Sequence, residues 1–236
     1  MGRTRGWAPG RCGCVAGKGD VTASQDRVAA VAPIREQLEA RHEAREVALA
    51  ASRDAIRAAA NAIRAAHRGD EERVASLLTE ARACLDRAVD AAGAHPEVLH
   101  AGFVADAAKE VAEAELTRAA IAGEVLPGPE ALGVDEVAWL HGLAETVGEL
   151  RRASLDRVRG GDLDTGERHL ELMQEILAAL VTIDVPDGLS RGLRRATDAA
   201  RAITERTRGD LTAAVGQRDL RRALEAHREA LERDRT

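Results

Sequence analysis

DEVAWLHGLAETVGELRRASLDRVR, residues 135–159, reads as one helix, because its apolar residues recur at helical spacing and Gly160-Gly161-Asp162 then turns the chain. Within it, Val137 to Leu150 is an apolar run interrupted by Glu145 and Glu149 and by two glycines, Gly142 and Gly148. A helix this apolar must bury a wide stripe against other helices. Carboxylates inside such a stripe need a partner.

Working outward, the neighbouring segments follow the same pattern. Asp26 to His67 reads as one very long helix, or two broken near Pro33; Gly69 suits the left-handed position after it, and Asp70 can cap the next, Glu71 to Ala92. Pro96 starts a third helix running from Glu97 to about Ala122. The one long loop spans 123–134, with Pro127-Gly128-Pro129. Beyond residue 162, Leu163 to about Ile183 is a fifth helix, Leu189 to about Val215 a sixth, and Gln217 to Arg233 a polar seventh. The expected fold is therefore all-α, an antiparallel bundle of about seven helices over residues 23–236.

Composition agrees. Of 236 residues 45% are hydrophobic and 31% charged, enough to bury a core, and the chain leans on Ala, Leu, Arg and Glu, the strongest helix formers. An all-β fold is excluded. Only 1% are aromatic, with one Phe, two Trp and no Tyr, so stacking on exposed bases has little to work with. No stretch approaches the length of a membrane span, and the basic start lacks the apolar core of a secretory signal. Cys12, Cys14 and Cys84 form neither a good disulfide pair nor a zinc spacing, which favours a reduced, cytoplasmic chain. Residues 1–22 read as a flexible tail.

The net charge of −6 hides a segregation. Residues 23–184 hold 18 basic and 30 acidic residues, a net of −12, whereas residues 185–236 hold 12 basic and 9 acidic, a net of +3. Many Arg–Glu pairs three or four apart simply solvate helix faces. Arg194 and Arg195 are adjacent like charges, and Arg191, Arg201, Arg206 and Arg208 lie nearby. That row suits a phosphate track, and equally subunit contacts or solvation.

The sharpest chemical feature is a double pair of carboxylates. Glu110 and Glu113 are three apart and share a face of the third helix; Glu145 and Glu149 are four apart and share a face of the fourth. An antiparallel hairpin brings the pairs together, and four like charges so close call for a divalent cation. All-oxygen ligands point to Mg²⁺ or Mn²⁺ and to phosphoryl chemistry. The same spacing occurs in Glu36/Glu39, Glu39/Glu43 and Glu43/Glu46, so by spacing alone a solvated face stands beside the metal reading. Glu39-x-x-His42 and Glu97-x-x-His100 match one local spacing of di-iron sites but sit in polar or ragged settings. No nucleophile elbow or glycine-rich phosphate loop is present.

Trp139 to Arg152, WLHGLAETVGELRR, resembles the G-x-A-D-x-x-G-E-L-x-R signature of the translin and translin-associated factor X family. Gly161-Asp162, Leu172 to Ile176, Asp187 to Leu189 and Arg206 to Leu211 look like the segments that follow it in the prokaryotic branch. The resemblance covers most of Ser24 to Val215. It implies a seven-helix fold, a hollow homo-oligomer, typically an octamer, and single-stranded RNA or DNA bound inside. Factor-X-type subunits cut RNA with Mg²⁺ held by acidic residues. Their Q-E-x-x-E-A motif is matched at both carboxylates by Lys109-Glu110-Val-Ala-Glu113-Ala114, and their second pair, Asp and Glu four apart, falls on Glu145 and Glu149. The aromatic and basic stretch that translin carries ahead of this region is reduced here to His95, His100 and Phe103.

The expected function is a Mg²⁺-dependent endoribonuclease. Glu110, Glu113, Glu145 and Glu149 would be its metal ligands and catalytic residues, and Arg191, Arg194, Arg195, Arg201 and Arg208 its nucleic-acid contacts. Two alternatives stand beside it. One is a non-enzymatic single-strand-binding oligomer. The other is an all-α Mg²⁺-dependent nucleotide pyrophosphatase, which the E-x-x-x-E spacing of the second pair fits less well.

Overall fold

Good helix formers fill the chain, and every regular element among the described residues, 28–234 of a computed structural model, is helical. The tail reading for residues 1–22, together with Cys12 and Cys14, lies outside the described residues. Six long helices are joined by three single turns: α1 Val31–Arg68, α2 Glu71–Ala92, α3 Pro96–Leu99, α4 Gly102–Ala122, α5 Pro129–Leu132, α6 Glu136–Arg159, α7 Leu163–Val181, α8 Asp187–Ser190 and α9 Leu193–Asp234. No described helix is long and apolar enough to cross a membrane.

Local chemistry sets most boundaries. Gly69 takes the left-handed conformation after α1 (φ 70°), and the Asp70 carboxylate accepts from the Arg73 N–H at 3.2 Å to start α2. Asp135 starts α6 the same way, accepting from the N–H groups of Val137 and Ala138. Two expectations are corrected. The helix read from Glu97 to Ala122 is split into α3 and α4, because the first turn closes at His100 and Ala101 is extended (φ −68°, ψ 139°). Gly102, a poor helix former, does not bridge that break. The expected sixth helix loses its first residues to the separate turn α8, since Arg191 and Gly192 are left-handed, and from Leu193 it is continuous with the expected seventh as one element, α9, because Gly209 and Gly216 each weaken a helix by only about 1 kcal/mol and no proline follows.

Two compact units divide the chain, Met1–His42 and Glu43–Thr236. In the first, Val28, Val31, Ile34 and Leu38 are exposed. The second has two main cores. Ala55 to Ala66 of α1, Val74 to Leu85 of α2, and Ala107, Ala108, Val111 and Ala114 of α4 make one. Ala112, Leu116 and Ala120 of α4 join Leu143, Val147 and Leu150 of α6, Met173, Ile176 and Leu180 of α7, and Leu193 and Ala200 of α9 to make the other. Helix α4 serves both cores and is buried nearly all round. Gly142 lets α6 lie unusually close to it: a Cβ there would come within 2.9 Å of the Glu113 nitrogen and 3.0 Å of the Lys109 carbonyl oxygen. The Trp139 indole N–H, donating to the Pro127 carbonyl at 2.9 Å, ties the long loop down onto α6.

Candidate metal and nucleic-acid site

A buried central helix has no room for unpaired charge, yet α4 carries Glu113 and Glu115, only 8% and 6% exposed. Glu115 is answered by Arg82 of α2, whose Nε donates at 2.6 Å. Glu113 faces α6, where one carboxylate oxygen each from Glu110, Glu113 and Glu145 can be chosen so that all three lie within 4.8 Å of one another. The antiparallel approach of α4 and α6 at Gly142 creates this convergence. Among the described residues it is the only place where three such ligands gather; His42 and the single-turn residue Glu97 join no metal-ligand cluster.

The electrostatics follow from crowding. Burial first, then the charges of Glu145 and Glu110, push the Glu113 carboxyl up to about 8, with Glu145 hydrogen-bonded to it and Glu149 adding further repulsion. Lys109 supplies the opposing charge. Its ammonium donates to Glu145 Oε1 and Oε2 at 2.9 and 2.8 Å and lies 3.0 Å from Glu110 Oε1. Burial works against that ammonium, but the hydrogen bonds and charges of Glu145 and Glu110 outweigh it and hold its pKa above the ordinary lysine value.

Glu149, one turn along α6, does not join the three. The His67 ring nitrogen Nε2 lies 2.5 Å from its Oε2, and this bond lowers the carboxylate's pKa against the opposing effect of burial, with the charges of His67 and Arg152 adding to it. His67 is almost wholly buried at the end of α1. It lies 82 residues from Glu149 in sequence, so no local pattern announces the contact. Lys109 was visible in the sequence only as the neighbour of a matched glutamate.

Three clustered carboxyl groups, one of them pushed towards its protonated form by burial and by its neighbours, form an all-oxygen donor set. That chemistry fits a hard divalent cation.

The Arg row lies apart in its contacts. Arg191, Arg194, Arg195, Arg201 and Arg208 are all exposed around the start of α9, and none is ion-paired with the four glutamates. Arg201 and Arg208 pair three residues back with Asp198 and Glu205 at 2.8 and 2.9 Å, as helix-solvating pairs do. Arg194 and Arg195 have no ion pair among the described residues. Arg194 and Arg201 line a cavity of about 790 Å³ between the end of α7 and the start of α9. Arg191 ends α8 in the left-handed conformation, with φ of 51°.

The fold and sequence match solved structures. AfC3PO, seen in a complex with duplex RNA, is 35% identical, with a TM-score of 0.74 over 80% of this chain and 97% of its own. The chain belongs to the translin-like family. A crystal structure of AfC3PO gives the same result, with 34% identity and a TM-score of 0.73 over 80% of this chain and 98% of the other. Apo-NeC3PO, at 17% identity, shares the fold with a TM-score of 0.72 over 78% of this translin-like chain and 96% of its own. An uncharacterized protein of Methanocaldococcus jannaschii is 32% identical over 91 residues, 39% of this chain and only 40% of that relative's length. No family model matches the chain.

Proposed function

We propose that this translin-like protein binds RNA and cleaves it in a Mg²⁺-dependent reaction, with Glu110, Glu113 and Glu145 as the metal-holding carboxylates. The observation that carries this reading is the convergence of those three residues within 4.8 Å on two helices pinned together at Gly142. The chemistry a bound Mg²⁺ or Mn²⁺ supplies there is charge stabilisation at a phosphodiester and acidification of a water. Glu113, buried, would hold such a cation together with Glu110 and Glu145 as a carboxylate ligand. Glu149 is held one turn away by His67 and keeps its negative charge facing the cluster. Arg194 and Arg195, without ion pairs among the described residues, are the best-placed of the Arg row to meet phosphates, and AfC3PO with its duplex RNA supports nucleic acid as the ligand. The same relative makes duplex RNA a substrate to test beside the single strands expected from the sequence.

Homo-oligomer formation is part of the proposal. Leu220, Leu224 and Leu231 recur at intervals of four and seven on α9, and each is more than half exposed, an apolar stripe suited to a second copy.

One observation favours a second reading, a nucleic-acid-binding oligomer without chemistry: the Lys109 ammonium already pairs with both Glu110 and Glu145 and offsets half of their charge. End-labelled single-stranded and duplex RNA, incubated with purified protein in Mg²⁺ and in EDTA, separates the two. The nuclease reading requires cleavage in Mg²⁺ that EDTA abolishes and that Glu113→Gln reduces at least a hundredfold. RNA that is bound but left intact under all conditions establishes the second reading instead.

A further inference from the structure

The chain contains 32 arginines and only two lysines, Lys18 and Lys109. All other side-chain cations in the described residues are arginine or histidine, and the one described lysine stands inside the carboxylate cluster. Arg and Lys differ in ways that matter there. A guanidinium is a broad planar fork, whereas an ammonium is a compact point charge on a flexible four-carbon stem, nearer in shape to a metal ion.

Its contacts bear out that likeness. An ammonium has three N–H donors, and the Lys109 Nζ meets both Glu145 oxygens and one Glu110 oxygen at 2.8–3.0 Å. Those two residues supply two of the three converging ligands. A divalent ion between Glu110 and Glu145 and the ammonium in its present place would put two cations on the same oxygens, an arrangement their mutual repulsion opposes. The backbone has little room to shift, since the Lys109 carbonyl oxygen packs closely against Gly142 of the facing helix. The side chain can, because it is 22% exposed and has a route to solvent.

We propose that Lys109 is a tethered counter-ion that holds the cation position between Glu110 and Glu145 until a divalent ion displaces it, so that metal loading and release of the ammonium are one exchange. The proposal rests on the metal-site reading given above and adds to it a regulation: the site loads only where the divalent ion outcompetes an attached cation. Without metal, the same lysine offsets part of the charge of the two carboxylates and links α4 to α6.

Two measurements on the full chain test it. In the first, the wild-type protein is treated with an amine-acetylating reagent with and without Mn²⁺, and modification at Lys109 is read by mass spectrometry with Lys18 in the same sample as the normaliser. Mn²⁺ should raise acetylation of Lys109 several-fold. In the second, free Mn²⁺ is followed by electron paramagnetic resonance during titration of wild type, Lys109→Gln and Glu113→Gln. Lys109→Gln should bind Mn²⁺ about tenfold more tightly or better, since a like charge beside the ion is gone. If wild type binds Mn²⁺, Glu113→Gln weakens that binding, and Lys109 acetylation stays unchanged, the exchange is refuted while the metal site survives. If none of the three proteins binds Mn²⁺, the metal-site reading and the exchange fall together. The acetylation arm uses only wild-type protein, so it decides the matter even where Lys109→Gln does not fold.

Discussion

At the scale of single residues, Glu113 is where fold and chemistry conflict. Its carboxyl is pushed from an ordinary 4.5 to about 8 by burial and by the charges of Glu145 and Glu110. Between those two values the folded chain keeps a proton at Glu113 that the unfolded chain has released, so this group's contribution to stability falls as pH rises from about 4.5 to about 8, by as much as 1.4 kcal/mol per pH unit. Thermal melts of wild type and Glu113→Gln in metal-free buffer should show this loss as a difference between the two profiles. Glu113→Gln, neutral at every pH, should flatten that part of the profile and melt higher than wild type at pH 8, while Mg²⁺ should restore wild-type stability there. A profile with the same slope in both proteins would mean that Glu113 ionises freely. The four glutamates were legible in the sequence because spacings of three and four put each pair on one helix face. What each one meets was not. Whether Lys109 folds across to Glu145 depends on how closely two helices approach, and the His67 contact that draws Glu149 aside joins residues 82 apart.

At the scale of elements, the site depends on the α4–α6 contact, and the two glycines of α6 make that testable. A methyl group at Gly142 would press on the Glu113 nitrogen and the Lys109 carbonyl at 2.9–3.0 Å, whereas at Gly148 the nearest atom, Ile203 Cδ1, is 4.0 Å away. Gly142→Ala should therefore cost about 1–3 kcal/mol through overpacking and disturb metal binding. Gly148→Ala should gain about 0.5–1 kcal/mol from better helix propensity and leave the site alone. Chemical denaturation of the two variants measures the contrast, and equal effects would remove Gly142 from the account. In the sequence both glycines look alike, set in one apolar run; only packing tells them apart. The extents of the helices show the same limit. Asp70 and Gly69 mark their boundary by residue type alone, but the split at Ala101 and the unbroken course of α9 past Gly216 come from competing energies of about 1 kcal/mol that no residue pattern ranks.

At the scale of the whole molecule, the proposed function turns the separation between the acidic central segment and the basic end of the chain into a division of labour that can be tested: carboxylates for a cation, arginines for phosphates. Replacing Arg194 and Arg195 together with Gln should weaken RNA binding and lower the steepness of its salt dependence by about one to two units, measured by fluorescence anisotropy over a series of salt concentrations. Unchanged affinity and slope would assign those arginines to solvation or subunit contacts. The exposed stripe on α9 makes a separate prediction, that Leu224→Glu shifts the sedimentation profile to smaller species; a profile identical to wild type would show that the stripe is not an interface. The central claim, a cation site made by two helices, is tested most directly by anomalous diffraction at the manganese edge from crystals grown with Mn²⁺. The account predicts a single strong peak within coordination distance of Glu110, Glu113 and Glu145, with the Lys109 ammonium moved off Glu145. A cluster with no manganese peak and Lys109 still bonded to both Glu145 oxygens would contradict it.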